Sequence, residues 1–177
     1  TYTIIVNPSA KVTTVPNKTL CNGATLAAIN FATSNISGTT SYSWTNDTSS
    51  IGLAASGNGN ITAFSAVNTG TSPIVATIQV TPSYTNNGIT CSGAATSFTI
   101  TVYPTAQVNP ITNQILCNGT TTAAVLFSTN NTGGTTTYSW TNSNPAIAPS
   151  VDEIFTNYQN YSSSILLLGA ILFSFQI

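Results

Sequence analysis

Few side chains in this sequence can do chemistry. They are three cysteines (Cys21, Cys91 and Cys117), three carboxylates (Asp47, Asp152 and Glu153) and two amines (Lys11 and Lys18), with no histidine. Catalysis needs a base, an acid or an activated nucleophile. A cysteine nucleophile would lack its histidine here. Asp47 stands alone until Asp152, so the paired carboxylates of glycoside hydrolysis cannot be assembled around it. Zinc calls for Cys-x-x-Cys or histidine ligands, and calcium usually for more than one carboxylate. Neither set is present. The expectation is a chain that is not an enzyme, with no catalytic residue, no metal and no cofactor. Nucleic acid is excluded as a partner, because neutralising phosphate takes many lysines and arginines.

The elements that hold these residues come from one segment that occurs twice. Leu20-Cys21-Asn22-Gly23 to Tyr42-Ser43-Trp44-Thr45-Asn46 recurs as Leu116-Cys117-Asn118-Gly119 to Tyr138-Ser139-Trp140-Thr141-Asn142, 96 positions later and without a gap. Thr3-Ile4, Val6, Pro8, Ala10 and Val12 likewise recur as Thr99-Ile100, Val102, Pro104, Ala106 and Val108. A fixed period of this size means tandem modules, and its length suits an immunoglobulin-type β-sandwich. The expected division has four parts. Residues 1–12 are the last strand of a preceding repeat, 13–108 one complete repeat, and 109–150 the front half of a second. Residues 151–177 are an atypical, poorly ordered tail.

Only 3% of residues are charged. Solubility must come from Thr, Ser and Asn, which suits an extracellular setting better than a crowded cytosol. Thr, Val and Ile favour strands, while Asn, Gly and Ser favour turns. Alternation at Ala27, Ile29 and Phe31, at Tyr42 and Trp44, at Ile74 to Val80 and at Phe98 to Val102 predicts half-buried strands. Asn86-Asn87-Gly88 predicts a hairpin into the Phe98 strand. The fold class expected is all-β, an immunoglobulin-like antiparallel β-sandwich repeated along the chain. Its core is expected to hold Ile29, Phe31, Trp44, Ile78, Val80, Phe98 and Ile100. Trp44 admits a second reading, as an exposed platform for a sugar ring, but its place in a repeated strand favours the core.

Taken together, the Leu-Cys-Asn-Gly turn, the Tyr-Ser-Trp-Thr-Asn strand, Ile51-Gly52-Leu53-Ala54-Ala55-Ser56-Gly57 and Phe98-Thr99-Ile100-Thr101-Val102 carry a resemblance. The chain resembles the PKD-like, immunoglobulin-like tandem repeats of large secreted or cell-surface proteins of Bacteroidetes, over about residues 1–147. Ser43-Trp44-Thr45-Asn46-Asp47 stands where PKD domains carry Trp-x-Phe-Gly-Asp-Gly. The resemblance implies β-sandwich arrays in adhesin-like bacterial proteins, secreted or at the cell surface and often exported by the type IX system. Two functions follow as expectations: a structural spacer whose job is length and stiffness, or a carbohydrate-binding module with outward aromatic residues. The spacer is favoured. Its partners would be neighbouring repeats of the same chain, with surface glycans or other cell-surface proteins as further candidates. The Asn-x-Ser/Thr triplets are read as incidental in so Asn-rich a chain.

An extracellular setting permits disulfides. One period holds Cys21 and Cys91; Cys117 repeats Cys21, and the repeat of Cys91 would fall past residue 177. The expectation is a Cys21–Cys91 disulfide with an unpaired thiol at Cys117. That bond requires Leu20-Cys21 to run beside the start of the last strand, with Cα atoms within about 7 Å. The apolar run Ile165–Ile177 is shorter than the ~20 residues of a spanning helix, so membrane insertion is not expected.

Overall fold

A computed structural model describes residues 1–120, 122–144 and the strand pair that includes 171–172. The tail expected over 151–177 otherwise lies outside the described residues, as does the end of the front half expected over 109–150. The chain divides into two compact units, Thr1–Thr105 and Ala106–Ile177. The described residues hold no α-helix; the fold is β-rich, with one short 3-10 turn at Ser49–Ile51.

Eight strands build the first unit: β1 Lys18–Cys21, β2 Thr25–Leu26, β3 Thr39–Asn46, β4 Ser56–Asn58, β5 Phe64–Ser65, β6 Ile74–Asn86, β7 Ile89–Ser92 and β8 Thr96–Tyr103. The larger sheet runs β1-β8-β6-β3-β4, with β7 also paired to β6. β1 lies parallel to β8, and every other pair is antiparallel. The sheet is therefore mixed. β2 and β5 form a second, smaller antiparallel sheet. An isolated bridge, Ile29 to Ile61, continues the β2–β5 register beyond the two strands.

Residue types explain the faces. β6 alternates apolar and largely polar residues, so Ala76, Ile78, Val80 and Tyr84 turn inward while Thr77 and Gln79 face water. β8 does the same with Phe98, Ile100 and Val102. The smaller sheet and its extension supply Leu26, Ile29, Phe31, Ile61 and Ala66 to one core, which Trp44, Ile51 and Leu53 complete. All seven residues assigned to the core from sequence, Ile29, Phe31, Trp44, Ile78, Val80, Phe98 and Ile100, are buried.

Several local expectations need correction. Ala27 is exposed and Leu26 is buried in its place. The strand breaks at Ala27-Ala28 before the Ile29 bridge, so Leu26 and Ile29 do not belong to one continuous alternating strand. The Asn87-Gly88 turn does reverse the chain, with both residues at positive φ (51° and 78°) as a two-residue hairpin loop requires. It leads first into β7 and not directly into the Phe98 strand. β7 and β8 continue one line beside β6, but their registers differ by one residue. Pro82 stands at that bulge, where its missing N–H is tolerated.

No strand forms before Lys18, so the strand expected over residues 1–12 is absent within this chain. Tyr2, Ile4 and Val6 are 87%, 72% and 85% exposed. Their counterparts in β8 are buried between β1 and β6, and nothing within the first unit offers Thr1–Val6 such neighbours.

In the second unit, Thr141–Asn142 (β9) pairs antiparallel with Ile171–Leu172 (β10).

Candidate functional site

The chemistry-bearing residues do not come together. Among the described residues no group of three or more His, Cys, Asp or Glu could hold a metal. Asp47 is exposed at the end of β3. The Thr77 backbone N–H and the Thr48 hydroxyl donate to its Oδ1 at 2.8 and 2.9 Å. These bonds, the Thr77 one foremost, hold its carboxyl below the ordinary aspartate range. A depressed folded-state pKa contributes stability that is present above the unfolded pKa and lost as pH falls through the folded one. Acid titration followed by circular dichroism should show that loss below the ordinary aspartate range, and Asp47→Asn should remove it. Loss of structure nearer neutral pH would contradict this assignment.

The cysteines overturn the expected bridge. Cys21, Cys91 and Cys117 are all free. Cys21 is register partner to Tyr103, the last residue of β8, whereas Cys91 is partner to Tyr84, beyond the first residue of β8. Parallel pairing of β1 to β8 thus sends Cys21 to the wrong end. About ten residues of strand separate the two, or roughly 30 Å at 3.3 Å per residue, against the 7 Å or so that a disulfide tolerates. A thiol count on the denatured, unreduced chain should find three free thiols; one would restore the Cys21–Cys91 pairing.

Trp44 is buried, so the sugar-platform reading fails for this ring. It lies across Gly57, its register partner on β4. A Cβ on Gly57 would stand 2.3 Å from Trp44 Cζ2, so only glycine leaves room. Trp44 Nε1 is buried with no hydrogen-bond partner.

Two other arrangements carry more information, and neither involves a charge. The first grips the chain ahead of β1. Asn35 Oδ1 accepts the Lys11 backbone N–H at 2.8 Å, and Asn35 Nδ2 donates to Ser9 O at 3.0 Å. Thr33 Oγ1 braces the amide, donating to Asn35 Oδ1 at 2.9 Å and accepting the Asn35 N–H at 3.0 Å. Thr13 N–H donates to Ala32 O at 2.7 Å. Asn7 and Asn86 add a further pair of amide hydrogen bonds. Ala10 is buried, and its carbonyl would sit 2.0 Å from a Cβ at Gly93.

The second unit repeats this clamp on its own incoming segment, 96 positions later. Asn131 Oδ1 accepts the Gln107 N–H at 2.9 Å, Thr129 braces Asn131 in the same way, and Asn109 N–H donates to Ser128 O. The sequence signal was available in Thr33-Ser34-Asn35 and Thr129-Asn130-Asn131, but it resembles ordinary loop composition. Asn35→Ala should loosen the chain at Ser9 to Lys11, which its side chain holds, while leaving the sheets intact. Amide hydrogen exchange at Lys11 should rise by about tenfold, given roughly 1–1.5 kcal/mol for the lost bond. Unchanged exchange would show that packing alone holds the segment.

The second arrangement is a cleft. After β4 the chain leaves the larger sheet at Asn58-Gly59-Asn60 and crosses to the smaller one, where Ile61 bridges Ile29. Gly59, at φ +70°, makes the corner and still donates its N–H to Tyr42 O at 2.8 Å. The first half of β3 is left without a neighbour on that side. The resulting cleft, about 640 Å³, is lined by Tyr42, Phe31, Ser41, Ser43, Asn58 and Asn60 among others. Phe31 and Tyr42 rings meet at 5.4 Å, tilted by 50°. Asn60 Oδ1 takes the Phe31 N–H at 2.9 Å and its Nδ2 donates to Asn30 Oδ1 at 3.0 Å, so its amide is committed to the wall. Burial raises the Tyr42 pKa, and a hydrogen bond with the Thr33 side chain partly offsets this.

Compared with known proteins, the chain matches no family model and no curated protein sequence.

Proposed function

We propose that this chain is a non-catalytic structural spacer, part of a stalk of immunoglobulin-like repeats in a large adhesin-like protein, secreted or at the bacterial cell surface. Two features support the immunoglobulin-like reading. The order β8-β6-β3-β4 matches the extended G-F-C-C′ sheet of such sandwiches, and β2–β5 matches the facing B–E pair. The observation that carries the spacer reading is the clamp. Each unit grips its own incoming segment through the same Asn and Thr positions. A clamped inlet shortens the free chain between repeats, which is what a stalk needs to hold its length. The resemblance adds the remaining proposals: Bacteroidetes-type surface or secreted location, type IX export, and neighbouring repeats as the main partners.

Small-angle scattering on tandem arrays of residues 13–108, of increasing repeat number, tests the reading. A stiff spacer gives a maximum dimension that rises by an equal step per repeat. Growth with the square root of repeat number, as for freely jointed beads, would overturn it.

A further inference from the structure

We propose that the cleft between the first half of β3 and the Asn58–Asn60 crossing binds a neutral oligosaccharide, with a pyranose ring against Tyr42. This reading is independent of the spacer role. Three observations carry it. The lining contains no charged side chain, which excludes acidic and basic ligands as preferred partners. It places an aromatic ring beside hydroxyls and an amide, the combination that meets a sugar's apolar C–H face and its hydroxyl edge together. Within it, the Asn58 side chain is exposed and has no hydrogen-bond partner among the described residues, while the Asn60 amide is held in place.

The open edge of β3 adds to this chemistry. Tyr42 C=O faces the β4 side, where it accepts the Gly59 N–H. Alternation in an antiparallel ladder turns the Thr40 N–H and C=O to that same side, where β4 no longer runs. The cleft thus adds a backbone donor and acceptor to its side chains. An extended peptide would find only this one residue's pair of bonds, too few for strand addition.

The proposal places the site in the first unit. The aromatic pair recurs in the second unit as Phe127 and Tyr138, centroids 5.5 Å apart. The positions that would match Asn58 and Asn60 in the second unit lie outside the described residues.

Titrating the whole ¹⁵N-labelled chain with cellohexaose, mannohexaose, chitohexaose and, as an acidic control, hexagalacturonate tests it. At least one neutral hexasaccharide should give saturable shifts centred on Tyr42, Ser43, Asn58 and Gly59. Asn58→Ala, an exposed change, should weaken that binding about 3–10-fold, the equivalent of one hydrogen bond, while leaving the unfolding curve unchanged. Tyr42→Phe should retain binding, since the ring and not the hydroxyl meets the sugar. The proposal falls if none of the neutral sugars shifts these residues at about 10 mM. It also falls if the shifts map elsewhere, if hexagalacturonate binds as well, or if Asn58→Ala has no effect.

Discussion

Trp44→Ala should lower the unfolding free energy of the first unit by about 3–5 kcal/mol, the range for removing a large buried aromatic side chain. The ring is 7% exposed and belongs to the one core that both sheets share. On β3 it is flanked by Val80 of β6 and by Gly57 of β4. Glycine there cannot collapse into the space that the ring vacates, so the cavity term persists. The orphaned Nε1 works the other way, because removing it relieves a buried donor worth about 1–3 kcal/mol. Trp44→Phe separates these contributions. It keeps an aromatic ring, loses the donor and should cost clearly less than alanine. Urea unfolding followed by far-ultraviolet circular dichroism measures both. A loss below 1 kcal/mol or so for alanine would mean that the core does not depend on this ring.

The second large effect falls on a polar residue. Asn68 is 1% exposed, with its side chain between the loop ahead of β6 and the end of β8. Its Nδ2 donates to Val102 O at 2.7 Å and to Ser72 O at 2.9 Å, and its Oδ1 accepts the Gly70 N–H at 3.0 Å. Its backbone N–H donates to Asn22 Oδ1, and Asn22 in turn holds Tyr103 O and Thr105 Oγ1. Asn68→Ala removes three bonds and leaves buried partners unsatisfied, for an expected loss of about 2–4 kcal/mol. Asn68→Asp should be worse, because it aims a buried carboxylate at two carbonyl oxygens. The order Asn > Ala > Asp in urea midpoint, with unchanged slope, is the expected result. If Asp matches Asn, the donated bonds do not matter.

These two residues show what the sequence disclosed and what it hid. Trp44 was legible because strands alternate and the segment repeats; burial follows from position within a strand. The same logic located Ile78, Val80, Phe98 and Ile100. Asn68 was legible only as part of the turn Asn68-Thr69-Gly70. Nothing local marks an amide whose main partner, Val102, lies 34 residues away. The Cys21–Cys91 expectation failed for a related reason. Counting cysteines per period says which residues share a repeat, but the direction of β1 beside β8 decides which end each one reaches. The cleft was hidden as well, since it arises where one chain segment changes sheets; Ser56-Gly57-Asn58-Gly59 reads as a loop, yet Ser56–Asn58 pairs with β3 as β4.

The parallel pairing of β1 with β8 has a mechanical consequence. Lys18 to Cys21 lie beside Ile100 to Tyr103, all pointing one way. Tension applied to the chain ahead of β1 and beyond β8 pulls the two strands in opposite directions along their common axis. The ladder is then loaded in shear, with its bonds sharing the force at once, whereas a hairpin pulled apart at its open end would yield bond by bond. Such a repeat should resist stretching more than its unfolding free energy alone implies, a property suited to a tether under drag.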